Sequence, residues 1–185
     1  KRDTPVMCII GNPPYSVSSS NKGKWIDDLL YDYKKDLNER NIQPLSDDYI
    51  KFIRYGQHFI EKNGEGILAF ISNNSFIDGL IHKQMRKSLL NAFDKIYILD
   101  LHGNAKKKET AADGSLDQNV FDIQQGVSIN IFVKNSNKKR SYAEVYHSGF
   151  FGRRNEKYEN LSSNSIGTIN WEKLATDSPN FFFVK

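Results

Sequence analysis

Asn12-Pro13-Pro14-Tyr15 is the stretch of this 185-residue sequence whose residue types and order suit a demanding reaction. An exocyclic amine on a heteroaromatic ring, or an amide nitrogen, is a poor nucleophile because its lone pair is delocalised. Two acceptors aimed at its two N–H groups favour a pyramidal nitrogen and stabilise the positive charge that develops during attack. The side-chain oxygen of Asn12 can be one acceptor and the backbone carbonyl of Pro13 the other. Consecutive prolines fix φ and carry no competing N–H, so Pro13 and Pro14 stiffen the backbone. Tyr15 adds a ring able to stack on a planar substrate. Four such positions arise by chance about once in 10³ chains of this length. The plain alternative is a Pro-rich turn that ends a strand.

Other reactive side chains carry less. Cys8 lies inside an apolar run and reads as a small core residue rather than a nucleophile. A single cysteine cannot form an internal disulfide, and no Cys/His cluster has zinc spacing, so no metal site is expected. His58 and His82 sit among polar neighbours and read as surface residues, whereas His102 ends a strand and reads as a loop stabiliser. Asn73, Asn74 and Ser75 either line a pocket or cap the next helix.

The elements that must position the tetrad follow from apolar patterning. Val6 to Ile10, closed by Gly11 and the prolines, reads as a buried strand with the tetrad at its carboxyl end, where open α/β sheets hold ligands. Ser16 to Lys24 reads as a mobile loop. Trp25, Ile26, Leu29, Leu30, Tyr33 and Leu37 share one helical face. A second helix starts at Ser46 as N-cap, with Tyr49, Phe52, Ile53, Gly56, Phe59 and Ile60 inward, and stops at Gly64. Ile67–Ile71 is a strand, Leu80–Phe93 a helix and Ile96–Leu101 a strand. Ala105–Gln118 reads as a surface loop, Val127–Val133 and Tyr142–Tyr146 as strands, and Asn155–Leu161 as a short helix. Strand–helix alternation predicts an α/β fold with a mainly parallel sheet.

Composition bounds the rest. Hydrophobic residues are 38% of the chain, enough for a core, and no apolar run nears the roughly 20 residues of a membrane span. Lys1-Arg2-Asp3-Thr4 is no signal peptide, so a cytoplasmic protein without a membrane partner is expected; the start at Lys1 suits a piece of something longer. Net charge is +4, and residues 134–157 hold seven basic residues against two acidic. That cluster (Lys134, Lys138, Lys139, Arg140, Arg153, Arg154, Lys157) either follows a phosphate backbone or is a solvated loop.

Gly11-Asn12-Pro13-Pro14-Tyr15 resembles motif IV of S-adenosylmethionine-dependent amino-methyltransferases, in particular the N6-adenine DNA enzymes of restriction–modification systems. Residues 49–54, 66–73, 85–90, 93–104 and 119–121 ahead of Gly126-Val127-Ser128-Ile129 are similar to the fused type ISP and type IIG enzymes, so the likeness covers about residues 5–147. The resemblance implies a partial Rossmann-like methyltransferase fold with one antiparallel strand, in the order 6–10, 67–71, 127–133 (antiparallel), with 96–101 at the edge. It implies that Asn12, Pro13, Pro14 and Tyr15 are the catalytic residues, with Asn12 and Pro13 binding the target amine, and that Tyr15 and Phe121, the latter matching a motif VIII aromatic, bind a flipped adenine. Methyl transfer to N6 would then be direct, without a covalent enzyme intermediate.

One departure shapes the reading. The family's glycine-rich cofactor loop and ribose-binding acid precede motif IV, and only eleven residues do so here. Residues 1–147 are therefore expected to be the catalytic C-terminal half of a methyltransferase domain, and 148–185 a connection toward a target-recognition region. S-adenosyl-L-methionine would be bound upstream, in the remainder of the parent polypeptide, and double-stranded DNA would be the partner. Two other readings share the tetrad or the shape: an RNA or release-factor-glutamine methyltransferase fragment, and a non-catalytic DNA-binding or scaffold module. The long polar insertions and the basic segment favour DNA.

Overall fold

The computed structural model describes residues 5–16, 19–111, 113–135 and 141–185. Apolar runs form six strands of one sheet: β1 (Cys8–Gly11), β2 (Gly66–Asn73), β3 (Lys95–Asp100), β4 (Val127–Lys134), β5 (Glu144–Gly149) and β6 (Glu172–Leu174). Their order is β1-β2-β4-β3-β5-β6. β1 is parallel to β2 and β3 to β5, while β4 runs antiparallel to both its neighbours, β2 and β3. Four of the six strands thus point one way, the mainly parallel α/β sheet that alternation predicts. The three-residue β6, antiparallel to β5, is a second reversed strand.

Two expectations about the sheet are corrected. The 96–101 strand is not at the edge, because β5 pairs alongside β3 from Lys95↔Glu144 to Asp100↔Gly149. Tyr97 stacks on Tyr146 at 5.0 Å and buried Val145 joins the core, which holds β5 in place. Among the described residues the first strand is covered on one face: Ile9 packs against the core, while Cys8 is exposed and Ile10 is 77% exposed.

Four helices, α1 (Lys24–Lys34), α2 (Asp48–Asn63), α3 (Ser75–Asp78) and α4 (Lys83–Ala92), belong to the larger core. Leu30, Tyr33, Ile50, Ile53, Ile60, Leu89 and Phe93 meet Leu68, Phe70, Ile96 and Phe132 of the sheet there. The Tyr33 hydroxyl donates to Gln57 (2.6 Å), whose amide donates to Ser88, tying α1, α2 and α4 together. α2 ends as expected at Gly64, whose φ of 91° only glycine adopts cheaply. Its N-cap position falls on Asp47 rather than Ser46, and its stripe is rotated: Ile50 is buried and Phe52 exposed.

The helix expected over 80–93 opens with a 3₁₀ turn, Leu80–His82, and becomes α-helical only at Lys83; an extended Gly79 makes a break between it and α3, and Leu80 faces solvent. The fully buried Arg86 holds this break by donating to the carbonyls of Phe76, Gly79 and Asn180 at 2.7–2.9 Å. The same arginine draws in the C-terminal segment, and the Phe183 N–H donates to the Ile77 carbonyl at 2.9 Å. Phe181 and Phe183 are core residues, the packing role their aromatic character suggests.

His82 is buried rather than on the surface, with both ring nitrogens shut away from solvent. Burial, aided by the neighbouring Arg86 guanidinium, pushes its pKa down to about 4. The unfolded chain, with a histidine near 6.5, then binds more protons than the folded one. This contribution is intact above about pH 6.5 and is lost as pH falls toward 4. Urea unfolding at pH 7 and 4.5 should show His82→Gln losing about 2–3 kcal/mol less stability than wild type over that interval. A difference between the two proteins that does not change with pH would contradict the burial of a neutral imidazole.

Candidate functional site

The common direction of β1, β2, β3 and β5 brings their carboxyl ends to one rim, and the reversal of β4 brings its amino end there too. The rim therefore gathers Asn12–Tyr15 after β1, Asn73–Ser75 after β2, His102–Asn104 after β3, Phe121–Gly126 before β4 and residues 150–152 after β5. Asn12 is exposed, Pro13 buried, Pro14 exposed and Tyr15 half-buried. The Tyr15 hydroxyl donates to Asn12 Oδ1 at 3.3 Å, and its ring meets Tyr49 edge-on at 6.2 Å. Burial pushes the phenol up to about 12, so it stays a neutral donor.

Tyr15 and Phe121, 106 positions apart in sequence, pack on the same small cluster of Leu99, Leu101, Val120 and Val127. The structure thus joins all the predicted site residues on one rim, with the two rings related through that cluster. The described residues of the loop after the tetrad are hydrogen-bonded to neighbouring elements. Ser16 N–H donates to Asp47 Oδ1 (2.7 Å), and Lys51 Nζ donates to Ser19 Oγ and to the Asn21 carbonyl. These bonds moor the chain beyond Tyr15 to the start of α2.

The flanking polar residues build the rim. Asn73 Oδ1 accepts from the Ser75 N–H (2.9 Å) and hydroxyl, a local turn just before the α3 N-cap, Asn74. Asn74 instead donates to Asp100 Oδ1 (2.9 Å), which also accepts the His102 N–H, so the ends of β2 and β3 are tied. His102, at a φ of 52°, stacks on Phe151 with ring centroids 3.6 Å apart, consistent with a loop stabiliser.

The Phe121 loop is held by a helix, α5 (Arg154–Ser163), close to the short helix predicted there. Lys157, fully buried, donates to Asp117 Oδ2 (2.8 Å) and to the carbonyls of Leu101 and Gln118 (both 2.7 Å). Asp117 accepts the Gly103 and Gly152 N–H groups as well, each at 2.7 Å. Arg154 donates to the carbonyls of Asn119 (2.8 Å) and Phe121 (3.1 Å) and pairs with Asp122 (2.7 Å), and the Tyr158 hydroxyl donates to the Val120 carbonyl. Asn119 bonds the Gly103 and Gln125 carbonyls and accepts the Phe121 N–H. Gly103, at a φ of 78°, lies so close to Asn119 that a Cβ would collide with its backbone.

These contacts take three members of the basic cluster into the fold, while Arg153 stays exposed. Among its described members, Lys157 is buried in an ion pair, Arg154 is bound to carbonyls and Asp122, and Lys134 donates to the Ala92 carbonyl. Lys138, Lys139 and Arg140 lie outside the described residues. Tyr158, and the carbonyl-binding roles of Arg154 and Lys157, escaped sequence reasoning. Their signal was present: positions i, i+3 and i+4 put three donors on one helical face.

A cradle for S-adenosylmethionine is not seen among the described residues. The turn after β1 is the proline tetrad, that after β2 is closed by Asn73 and Asn74, and Gly64 and Gly66 flank the helix-stop before β2. None is a glycine-rich turn opening a helix at the carboxyl end of a strand.

A mainly parallel sheet with one central reversed strand, and an Asn-Pro-Pro-Tyr turn on its ligand rim, defines a methyltransferase-type α/β fold. The chain belongs to the Eco57I restriction-modification methylase family, whose model matches residues 7–107. Among solved structures, it is similar to the ATP-dependent type ISP restriction-modification enzyme LlaBIII bound to DNA (28% identity, TM-score 0.84, covering 96% of this chain and 13% of that one). It is also similar to DrdV in a DNA complex (30%, 0.81, 95% and 18%). A nuclease-deletion mutant of the type ISP enzyme LlaGI with a DNA substrate mimic gives 28%, 0.83, 96% and 18%. The chain thus spans less than a fifth of these enzymes' length. No curated protein matches it. No helix among the described residues is long and apolar enough to cross a membrane.

Breaking a buried ion pair from one side leaves a charge without its partner, here with two backbone N–H groups still bound to it. Lys157→Met should therefore cost about 3–5 kcal/mol in denaturant unfolding. A cost below about 1 kcal/mol would show that the pair is not buried as described.

Proposed function

We propose that residues 1–147 form the catalytic, target-base side of a DNA adenine-N6 methyltransferase of a restriction–modification system, and that 148–185 lead toward a target-recognition region. Membership of the methylase family supports the reaction class. Similarity to enzymes whose structures contain DNA supports duplex DNA as the partner. The observation that carries the reading is local: the hydrogen-bonded Asn12 and Tyr15 and the distant Phe121 come to one rim, where the two rings pack on one cluster.

In this reading the adenine leaves the duplex, because its amine is out of reach inside the stack. Asn12 Oδ1 accepts one N–H of N6 and the Pro13 carbonyl the other, which localises the lone pair on nitrogen for attack. The Tyr15 hydrogen bond holds the Asn12 oxygen toward the ring and leaves its second lone pair for the amine. Pro13, buried between Asn12 and Pro14, fixes where its carbonyl points. S-adenosyl-L-methionine is the methyl donor, held by residues outside those described.

Three measurements test this reading. Asn12→Ala in the full-length protein should lower methylation about 10²–10³-fold with little change in DNA affinity; a rate within a few-fold of wild type would make the tetrad a structural turn. Residues 1–185 alone should show no micromolar S-adenosylmethionine binding by calorimetry, and such binding would overturn the placement of the donor site elsewhere. With 2-aminopurine at the target, binding should raise fluorescence, and Tyr15→Ala and Phe121→Ala should each alter it and cost about 1–3 kcal/mol of binding to an unpaired target. Substitution of the exposed Tyr31 should leave it unchanged. Equal signals from all these proteins would return both rings to the core.

A further inference from the structure

We propose that α5 is a positioning helix for the target base: Arg154, Lys157 and Tyr158 hold the Gln118–Phe121 backbone so that the Phe121 ring stands ready before the base arrives. The proposal rests on the reading of Phe121 as a base-contacting residue. Four consecutive carbonyls, those of Gln118, Asn119, Val120 and Phe121, each accept a hydrogen bond from one face of this helix. A loop merely covered by a helix would turn a mixture of donors and acceptors toward it. Here the whole run of acceptors points at three donors spaced i, i+3, i+4, so the loop has one seat on the helix.

Lys157 sets the position of that seat. All three of its ammonium protons are used, on the Leu101 carbonyl just after β3, on Asp117 and on the Gln118 carbonyl. It thereby fixes the distance from the sheet's rim to the loop that carries Phe121. An apolar side chain there could stabilise the core as well, but it would not hold a backbone in register. The helix is in turn seated on the sheet, since Leu161 packs on the cluster beneath Phe121 and the following Ile169 and Trp171 extend that contact. Phe121 is thus placed by residues 33 or more positions downstream, and its ring does not need to be ordered by the substrate. Preorganising a stacking partner in this way should act on rate and base capture rather than on grip of the duplex.

The test uses the full-length protein and a duplex carrying the methylation site mapped on DNA the enzyme has modified. Lys157→Met is the obvious variant but will itself unfold part of the chain, so the decisive ones are Tyr158→Phe, which deletes one donor and keeps the ring, and Arg154→Lys, which keeps the charge and loses the fork. Each should slow single-turnover methylation about fivefold and alter the 2-aminopurine signal, while the Kd for the intact duplex stays within twofold. In the Phe121→Ala background the same substitutions should have no further effect. Equal losses in both backgrounds would mean that α5 acts only through general stability, and would overturn the proposal. No loss from either variant, with Phe121→Ala still impaired, would overturn it while leaving the base-contact reading intact. A fully active Phe121→Ala would remove that reading and this proposal with it.

Discussion

β4 lies antiparallel between β2 and β3, and the geometry of the candidate site follows from that insertion. Had β4 run with its neighbours, its amino end and the loop before it would lie at the opposite edge of the sheet from Asn12. The reversal instead delivers Phe121 to the rim where β1 delivers Tyr15. Register is held by a polar lock inside the sheet. Asn130, fully buried, donates to Ser72 Oγ (3.0 Å) and to the Ser128 carbonyl, and its own oxygen accepts the Ser128 hydroxyl (2.8 Å). A one-residue slip of β4 on β2 would part Asn130 from Ser72, the bond that crosses between the strands, at a cost of roughly 1–3 kcal/mol.

Two buried cations do comparable work at the ends of the chain's long loops. Arg86 collects the carbonyls of Phe76, Gly79 and Asn180, and Lys157 those of Leu101 and Gln118 together with the Asp117 carboxylate. Each satisfies acceptors that irregular backbone leaves open, where desolvation would otherwise penalise folding. Each also joins residues beyond 148 to the sheet or its helices: Asn180 through Arg86, and α5 through Lys157. The hydrophobic clusters on the two faces supply the non-directional part of the stability, and these polar contacts choose one arrangement from those the clusters would tolerate.

The amino-acid sequence by itself determined the α/β character, the extent of most strands, the stop at Gly64 and the tetrad that turns after the first strand. These are local matters of period, turn chemistry and capping, and they need no distant partner. What it could not determine was that the 96–101 strand lies inside the sheet, because its pairing with β5 joins segments nearly fifty positions apart and no local pattern carries it. The same limit hid the burial of His82 and the role of Lys157. A lysine reads as a surface residue unless its partners are known, and Asp117, Leu101 and Gln118 stand 39 or more positions away in the chain. Only the tertiary structure decided that this charge would be desolvated, because only folding brings those acceptors to one point.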